Sequence, residues 1–353
     1  MEQELVQRLC ERFPTHPAMK LGPGDDAAIL ELASGKPQFV VSTDLLTEGV
    51  DFLLARMNPR KIGRKALAVN VSDLAAMAAD PLGCVISVAL PRKPHFRAHF
   101  EGLKDGIFLP KGEKLDFDGV QQTDEACVAE LMELLSLGFE DLTRDIPLAI
   151  AGGDTNLWNG GLVISVTVFG QVVGQPLCRN GAKPGDAIFV TGELGGSILR
   201  HQFDFTPRTR EMAFLRERFP LHAGMDISDG LLLDLSRLLK QSGCGAVLDT
   251  DAVPISAAAV ELSQLDTPNS GLYDWIPREF AAKSPLRHAL SDGEDFEILF
   301  TVSEETAGEI ERTAEELPVR LTRVGTITEG SEIRDTSGKA LKIEGFVHSG
   351  ADF

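Results

Sequence analysis

The sequence predicts an α/β (α+β) protein of two domains, and three observations carry that reading. Strand-like runs rich in Val, Ile and Thr recur between stretches of helical period along the 353 residues. Their order is mixed, which excludes an all-helical or an all-strand fold. Turn chemistry follows residue 174, ending in Gly181-Ala182-Lys183-Pro184-Gly185-Asp186, and divides the chain into domains 1–174 and 175–353.

Leu5, Leu9 and Phe13 share one helical face, so residues 3–13 predict an opening amphipathic helix. Gly22-Pro23-Gly24-Asp25-Asp26-Ala27-Ala28 is a loop, and Phe39 to Asp44 reads as a buried strand that Asp44 closes. Residues 59–79 read as a long helix with Pro59 in its first turn. Its 66–79 portion is small or apolar except for Asn70, Ser72 and Asp73. A strand is expected over 82–90, an irregular excursion over 91–122 and a helix over 125–139. A short strand over 146–151 feeds the turn Gly152-Gly153-Asp154-Thr155, and 162–173 is another strand. In the second half, 187–191 reads as a strand and Gly192 to Gly196 opens a helix. Met225 to Gly230 leads into a helix over 231–241 that Gly243 can terminate. A Pro-containing segment with Tyr273 and Trp275 follows, then a strand (296–302), a charged helix (304–316) and a last strand (319–327).

Composition narrows the function. Lys and Arg number 34 against 53 Asp and Glu, a formal charge of −19, which suits neither nucleic acid nor an anionic membrane. No apolar run is long enough for a membrane span, and Met1-Glu2-Gln3-Glu4 lacks a basic secretory start. Cys10, Cys84, Cys127, Cys178 and Cys244 are scattered and odd in number, which points to a reducing, cytoplasmic setting. His residues show no zinc-ligand spacing.

Carboxylates in one recurring context point to chemistry. Alone, Gly24-Asp25-Asp26 reads as a solvated turn. Asp44, Asp154, Asp226 and Asp229, however, each follow an apolar run among small residues. Each has a simple local reading as a cap or an Asx-turn. Asp73 has none: it interrupts an apolar helix with no Lys or Arg between 66 and 79. Burying such a charge without a partner costs several kcal/mol. Together these residues predict a Mg²⁺ site, since magnesium takes carboxylate oxygens and substrate phosphates. The common Gly-x-x-x-x-Gly-Lys-Ser/Thr phosphate loop is missing, which leaves glycine-rich turns and Arg179 as phosphate candidates.

In order along the chain, these stretches resemble thiamine-monophosphate kinase, within the superfamily of aminoimidazole ribonucleotide synthetase and selenophosphate synthetase. The matching segments are Gly22 to Ala28, Ser42-Thr43-Asp44 with Glu48 to Phe52, Lys65 to Met77 and Gly152 to Thr155. Arg179 to Asp186, Met225 to Leu231 and Ala289 to Glu297 complete the set. The resemblance implies an N-terminal α/β domain whose sheet pairs with its twin in a homodimer. It further implies a C-terminal α/β domain and a cleft between the two for ATP and several Mg²⁺. The implied reaction transfers the ATP γ-phosphoryl group to thiamine phosphate, giving thiamine diphosphate and ADP. Carried over by position, Asp26, Ser42, Thr43, Asp44, Asp73, Asp154, Asp226 and Asp229 would hold metal. Gly153, Arg179 and Ser228 would contact ATP, and Asp51, Glu294 and Phe346 the thiamine phosphate.

The sequence departs from the family at Asn156, at Asp292 before Gly293-Glu294, in 100–122 and in part of 266–285. It also lacks the usual aromatic ending, so Phe346 is the remaining aromatic candidate. Competing readings are another ATP-dependent superfamily member or a non-catalytic nucleotide-binding paralogue. Cys10 lacks the Gly-Cys-Lys context of selenophosphate synthetase, and none of the expected metal positions has lost its ligand.

Overall fold

The computed structural model describes residues 19–21, 25–30, 38–96, 106–108, 124–172, 174–316 and 319–346. The expected opening helix and most of the 91–122 excursion lie outside them. Two six-stranded sheets organise the rest. The first comprises β1 (Met19–Leu21), β2 (Ala28–Leu30), β3 (Gln38–Thr47), β4 (Asp80–Pro91), β5 (Ala149–Trp158) and β6 (Val163–Val172), in spatial order β1-β2-β3-β6-β4-β5. The β4–β5 pair is parallel and the other pairs are antiparallel. The second comprises β7 (Ala187–Thr191), β8 (Leu221–Asp226), β9 (Gly245–Leu248), β10 (Ile298–Val302), β11 (Leu321–Thr328) and β12 (Ile333–Asp335), ordered β12-β9-β11-β7-β10-β8. Mixed sheets with interspersed helices make the fold α+β, as the alternating sequence pattern predicts.

Helix α1 (Pro59–Ala76) lies at the centre of the molecule. Asn58 caps it by accepting from the Arg60 N–H at 3.0 Å, and Pro59 fits the first turn, where no N–H is needed. It is buried on almost every side, which explains why its residues are small rather than amphipathic. One side packs on β3 and β6, and another on α2 (Asp124–Asp145). The two helices meet so closely that a Cβ at Gly63 would lie 2.3 Å from the Leu135 carbonyl, and one at Gly138 2.0 Å from that of Arg60. Helix α2 runs six residues beyond its expected end at 139, with Leu142 still buried against the core.

The remaining helices are α3 (His201–Asp204), α4 (Thr209–Arg218), α5 (Leu231–Ser242), α6 (Ala257–Gln264), α7 (Arg278–Ala281), α8 (Pro285–Ser291) and α9 (Glu304–Thr313). Gly243, with φ 69°, closes α5 as its sequence position suggests. The two halves share a cluster: Ala75, Ala76 and Ala78 pack with Leu177, Phe189 and Phe300. Apolar burial of this kind, about 1.5–3 kcal/mol per large side chain, holds the C-terminal end of α1 against the second sheet.

Among the described residues, the first sheet is covered on one face only. Along β4, Cys84, Ile86 and Val88 are buried while Val85 and Ser87 are exposed, and β6 alternates likewise. Two expectations change here. Asp44 does not close its strand, because β3 continues to Thr47 in register with Val163 on β6. Gly152-Gly153 is not a turn but part of β5. Cys84 pairs with Ile150 and Val85 with Gly152, so the strand bulges at Ala151. A Cβ at Gly153 would stand 1.8 Å from the Ile86 carbonyl. These glycines serve a bulge and a close backbone approach, which in sequence look like a turn.

Candidate active site

Three elements from both halves each deliver a carboxylate to one point. Asp26 precedes β2, Asp73 lies in the last turn of α1 and Asp226 ends β8. One oxygen from each lies within 4.8 Å of the others. Ser42, on β3, orients the group: its Oγ is 2.5 Å from Asp73 Oδ2 and 2.9 Å from the Asp26 carbonyl. Ser72 Oγ donates to Asp226 Oδ2 at 2.8 Å, and Asn70 Oδ1 accepts the Asp44 N–H at 2.9 Å. The polar exceptions in an apolar helix therefore all face this site.

Arg179 closes the group with two bonds to Asp26, Nε to Oδ2 at 3.1 Å and Nη2 to Oδ1 at 2.8 Å. Its backbone N–H donates to Asp25 Oδ2 at 3.0 Å, while Asp25 Oδ1 accepts the Asp26 N–H. Asp25 thus shapes the loop, and Asp26 faces the cluster.

The electrostatics are unfavourable for bare carboxylates. Burial, followed by the charges of Asp44, Asp226 and Asp26, pushes the Asp73 carboxyl well above the usual range against the opposing Ser42 bond. Burial and then Asp26 do the same to Asp226. Asp44 is pushed up to about 6 by burial, then by Asp51, Asp26 and Asp229, and Asp25 to about 6 by burial and then Asp26. Burial alone would lower the Arg179 pKa, but Asp26, Asp25 and Asp226 outweigh it and keep the guanidinium charged. An all-oxygen set short of positive charge fits hard divalent cations.

Other expected residues lie nearby in different roles. Asp229 Oδ2 takes Arg237 Nη1 at 2.5 Å and stands outside the three-carboxylate group. The Ser228 carbonyl accepts the Glu294 N–H at 2.7 Å. The Phe346 N–H donates to the Asp229 carbonyl at 2.9 Å, which places a 42% exposed ring beside the start of α5. Asp51 Oδ2 accepts the Thr47 N–H at 2.6 Å.

Two expected ligands are not brought to the cluster within the chain. Thr43 alternates to the opposite face from Ser42 and Asp44, and its Oγ1 donates to the Val166 carbonyl at 2.9 Å. Asp154 pairs with exposed Ser87, across from Ser165 and Leu45, three strand spacings or about 14 Å from β3. Strict side-chain alternation puts both on the uncovered face. Gly153 pairs with Ile86 and lines a cavity of about 350 Å³ between β4, β5 and α2, with Val88, Met132 and Phe139. Residues that the motif reading missed are Ser72, Asn70 and Lys65. The first two were visible as polar interruptions of an apolar helix.

The turn at Gly192 to Gly196, whose composition reads as structural rather than catalytic, has backbone N–H groups engaged within the protein. The Gly195 N–H donates to Asp295 Oδ1 at 2.9 Å and the Gly196 N–H to Asp292 Oδ2 at 3.3 Å. Lys283 Nζ also reaches Asp292 Oδ1 at 2.9 Å, so two positions that depart from the family pair with each other.

Family models for AIR synthase related proteins match residues 24–108 (N-terminal domain) and 183–336 (C-terminal domain). The thiamine-monophosphate kinase of Rhodopirellula baltica is 35% identical over 100% of this chain and 98% of its own. That of Escherichia coli strain K12 is 31% identical over 94% and 92%. The solved thiamine-monophosphate kinase of Stenotrophomonas maltophilia K279a is 31% identical, with TM-score 0.66 and 96% of both chains covered. AaThiL, solved with AMPPCP and TMP, shares the fold at TM-score 0.71 and 24% identity over 99% of this chain and 96% of that one. With full-length identity above 30% and the Asp motifs present in order, the chain belongs to the thiamine-monophosphate kinase family.

Proposed function

We infer that the chain transfers the γ-phosphoryl group of ATP to the phosphate of thiamine phosphate, giving thiamine diphosphate and ADP. The convergence of Asp26, Asp73 and Asp226 from two sheets and their linking helix carries this reading. The acceptor is a phosphate, already anionic at neutral pH, so the reaction needs no strong general base. Its barrier is the repulsion of two polyanions and the need to align them. Bound at Asp26, Asp44, Asp73 and Asp226, Mg²⁺ would supply the positive charge that offsets that repulsion. The protein's part is to fix the ligands: Ser42 holds Asp73, Ser72 holds Asp226 and Asn70 holds the Asp44 backbone.

Arg179 and Ser228, at the junction of the halves, are assigned to ATP, together with Gly153. Asp51, Glu294 and Phe346 are assigned to thiamine phosphate, whose cationic thiazolium suits the two carboxylates and whose pyrimidine suits the ring. Asp229 is assigned a further ion. The domains are taken as 1–174 and 175–353. We further propose a homodimer in which the uncovered face of the first sheet packs on its twin. Leu45 (59% exposed) and Val85 (40%) lie on that face, and Trp158 (44%) ends the edge strand β5. Thr43 and Asp154 share this face, so both would lie at the subunit boundary of such a dimer.

The test is product formation from ATP, Mg²⁺ and thiamine phosphate. Thiamine diphosphate and ADP in equal amounts are expected; ADP alone would reject the acceptor, and failure to bind nucleotide would reject the reaction class.

A further inference from the structure

Lys65 is the most deeply buried cation of α1, its side chain 1% exposed. Its three ammonium protons have three acceptors: the Asp51 carbonyl at 3.0 Å, Gln202 Oε1 at 2.6 Å and Glu294 Oε2 at 2.6 Å. The ring of Phe203 lies 5.3 Å from the nitrogen. No proton is left for a phosphate, so Lys65 is not a direct ligand of either substrate. It joins the Asp51 turn and α1 in the first half to α3 and the Glu294 segment in the second.

Glu294 needs such an anchor. Its φ of 56° is left-handed, unusual for a residue with a side chain, and its carboxylate is 35% exposed. Lys65 fixes Oε2, and among the described residues no donor occupies Oε1, which remains for a ligand. Burial raises the Glu294 pKa above its ordinary value, and the Lys65 ammonium is the main influence that opposes this rise.

We propose that Lys65 is a positioning residue for the acceptor, acting through Glu294 to hold one carboxylate oxygen toward thiamine phosphate. This rests on the assignment of Glu294 to the acceptor. Steady-state kinetics and calorimetric binding of thiamine phosphate test it in Lys65→Met, Glu294→Gln and the double variant. Lys65→Met is expected to raise KM for thiamine phosphate about tenfold and weaken its binding equally, leaving KM for ATP within about twofold. In the Glu294→Gln background, the same substitution should change neither quantity further. The double variant removes both charges of the pair, so it keeps the comparison open if Lys65→Met alone does not fold. Equal rises in both KM values, or additive losses in the double variant, would overturn the role of Lys65. Failure of the acceptor reading itself would appear in the wild-type protein, as ADP without thiamine diphosphate.

Discussion

Arg179 grips Asp26 with two parallel bonds, at 3.1 and 2.8 Å, across the junction between the two sheets. The Asp26 side chain is fully buried and that of Arg179 is 19% exposed. The pair therefore supplies positive charge to the cluster when no ion does. Arg179→Met should cost the metal-free protein about 3–5 kcal/mol, because it leaves a buried carboxylate unpaired. Saturating Mg²⁺ should close most of that gap, since cations then take over the same oxygens. Calorimetric unfolding with and without Mg²⁺ measures the difference. An identical deficit in both conditions would show that Arg179 and metal do not share Asp26.

Asp73→Asn should lower turnover by at least about 100-fold while leaving the fold intact. The amide oxygen can still accept from Ser42, so the local hydrogen bond survives. Because Asp73 sits among like charges, the metal-free variant should unfold at the same or a higher temperature than wild type. Titration with Mn²⁺ followed by electron paramagnetic resonance should show weaker binding or fewer sites. A large loss of secondary structure would mark Asp73 as structural.

Metal-free protein should lose stability as pH rises from about 4 to 7. Asp44 and Asp25 move from 3.8 to about 6 and Asp234 to about 7 on folding, all upward and all led by burial. The folded state therefore keeps protons that the unfolded chain has released. Their contribution is complete below the unfolded value and is lost as pH climbs through the folded values. For each group the loss is about 1.4 kcal/mol for every pH step of one between the two values. Mg²⁺ at about 100 times its dissociation constant should restore about 2.7 kcal/mol per site. Melting temperatures at pH 5.5 and 7.5, with and without Mg²⁺, check the sign. A metal-free protein more stable at the higher pH would contradict it.

Much of this site was legible because its chemistry forces odd local sequence. A carboxylate at 73 in an otherwise apolar helix has no capping role, and the structure finds it within 4.8 Å of its partners. The flanking Asn70 and Ser72 gave the same signal. Strand and helix order was readable from periodicity, since β4 and β6 alternate cleanly between covered and open faces. What failed depended on neighbours that are remote in sequence. Gly152-Gly153 carries turn chemistry, yet β4 captures it as a bulged strand. Thr43 carries the motif, yet strand alternation turns its side chain away from Asp73. Lys65 sits at an unremarkable helix position, and only the fold brings Glu294, 229 residues later, to its ammonium.

The uncovered face of the first sheet gives the last prediction. Among the described residues no helix covers Leu45 or Val85, and β5, exposed along all ten residues, has no strand partner on its outer edge. An open apolar face beside a long free edge is a place where another chain associates. A second copy is the simplest partner, because one twofold axis then buries the same face on both. Leu45→Arg, near the C-terminal end of β3, would put a charge into that apolar face on both copies. Sedimentation should show a dimer for wild type and a monomer for the variant, with helix and strand content unchanged by circular dichroism. Activity should fall with the dimer, since Thr43 and Asp154 occupy the face being separated. A monomeric wild type, or an active monomeric variant, would move those two residues out of the catalytic assembly and leave Asp26, Asp44, Asp73 and Asp226 as its metal-binding core.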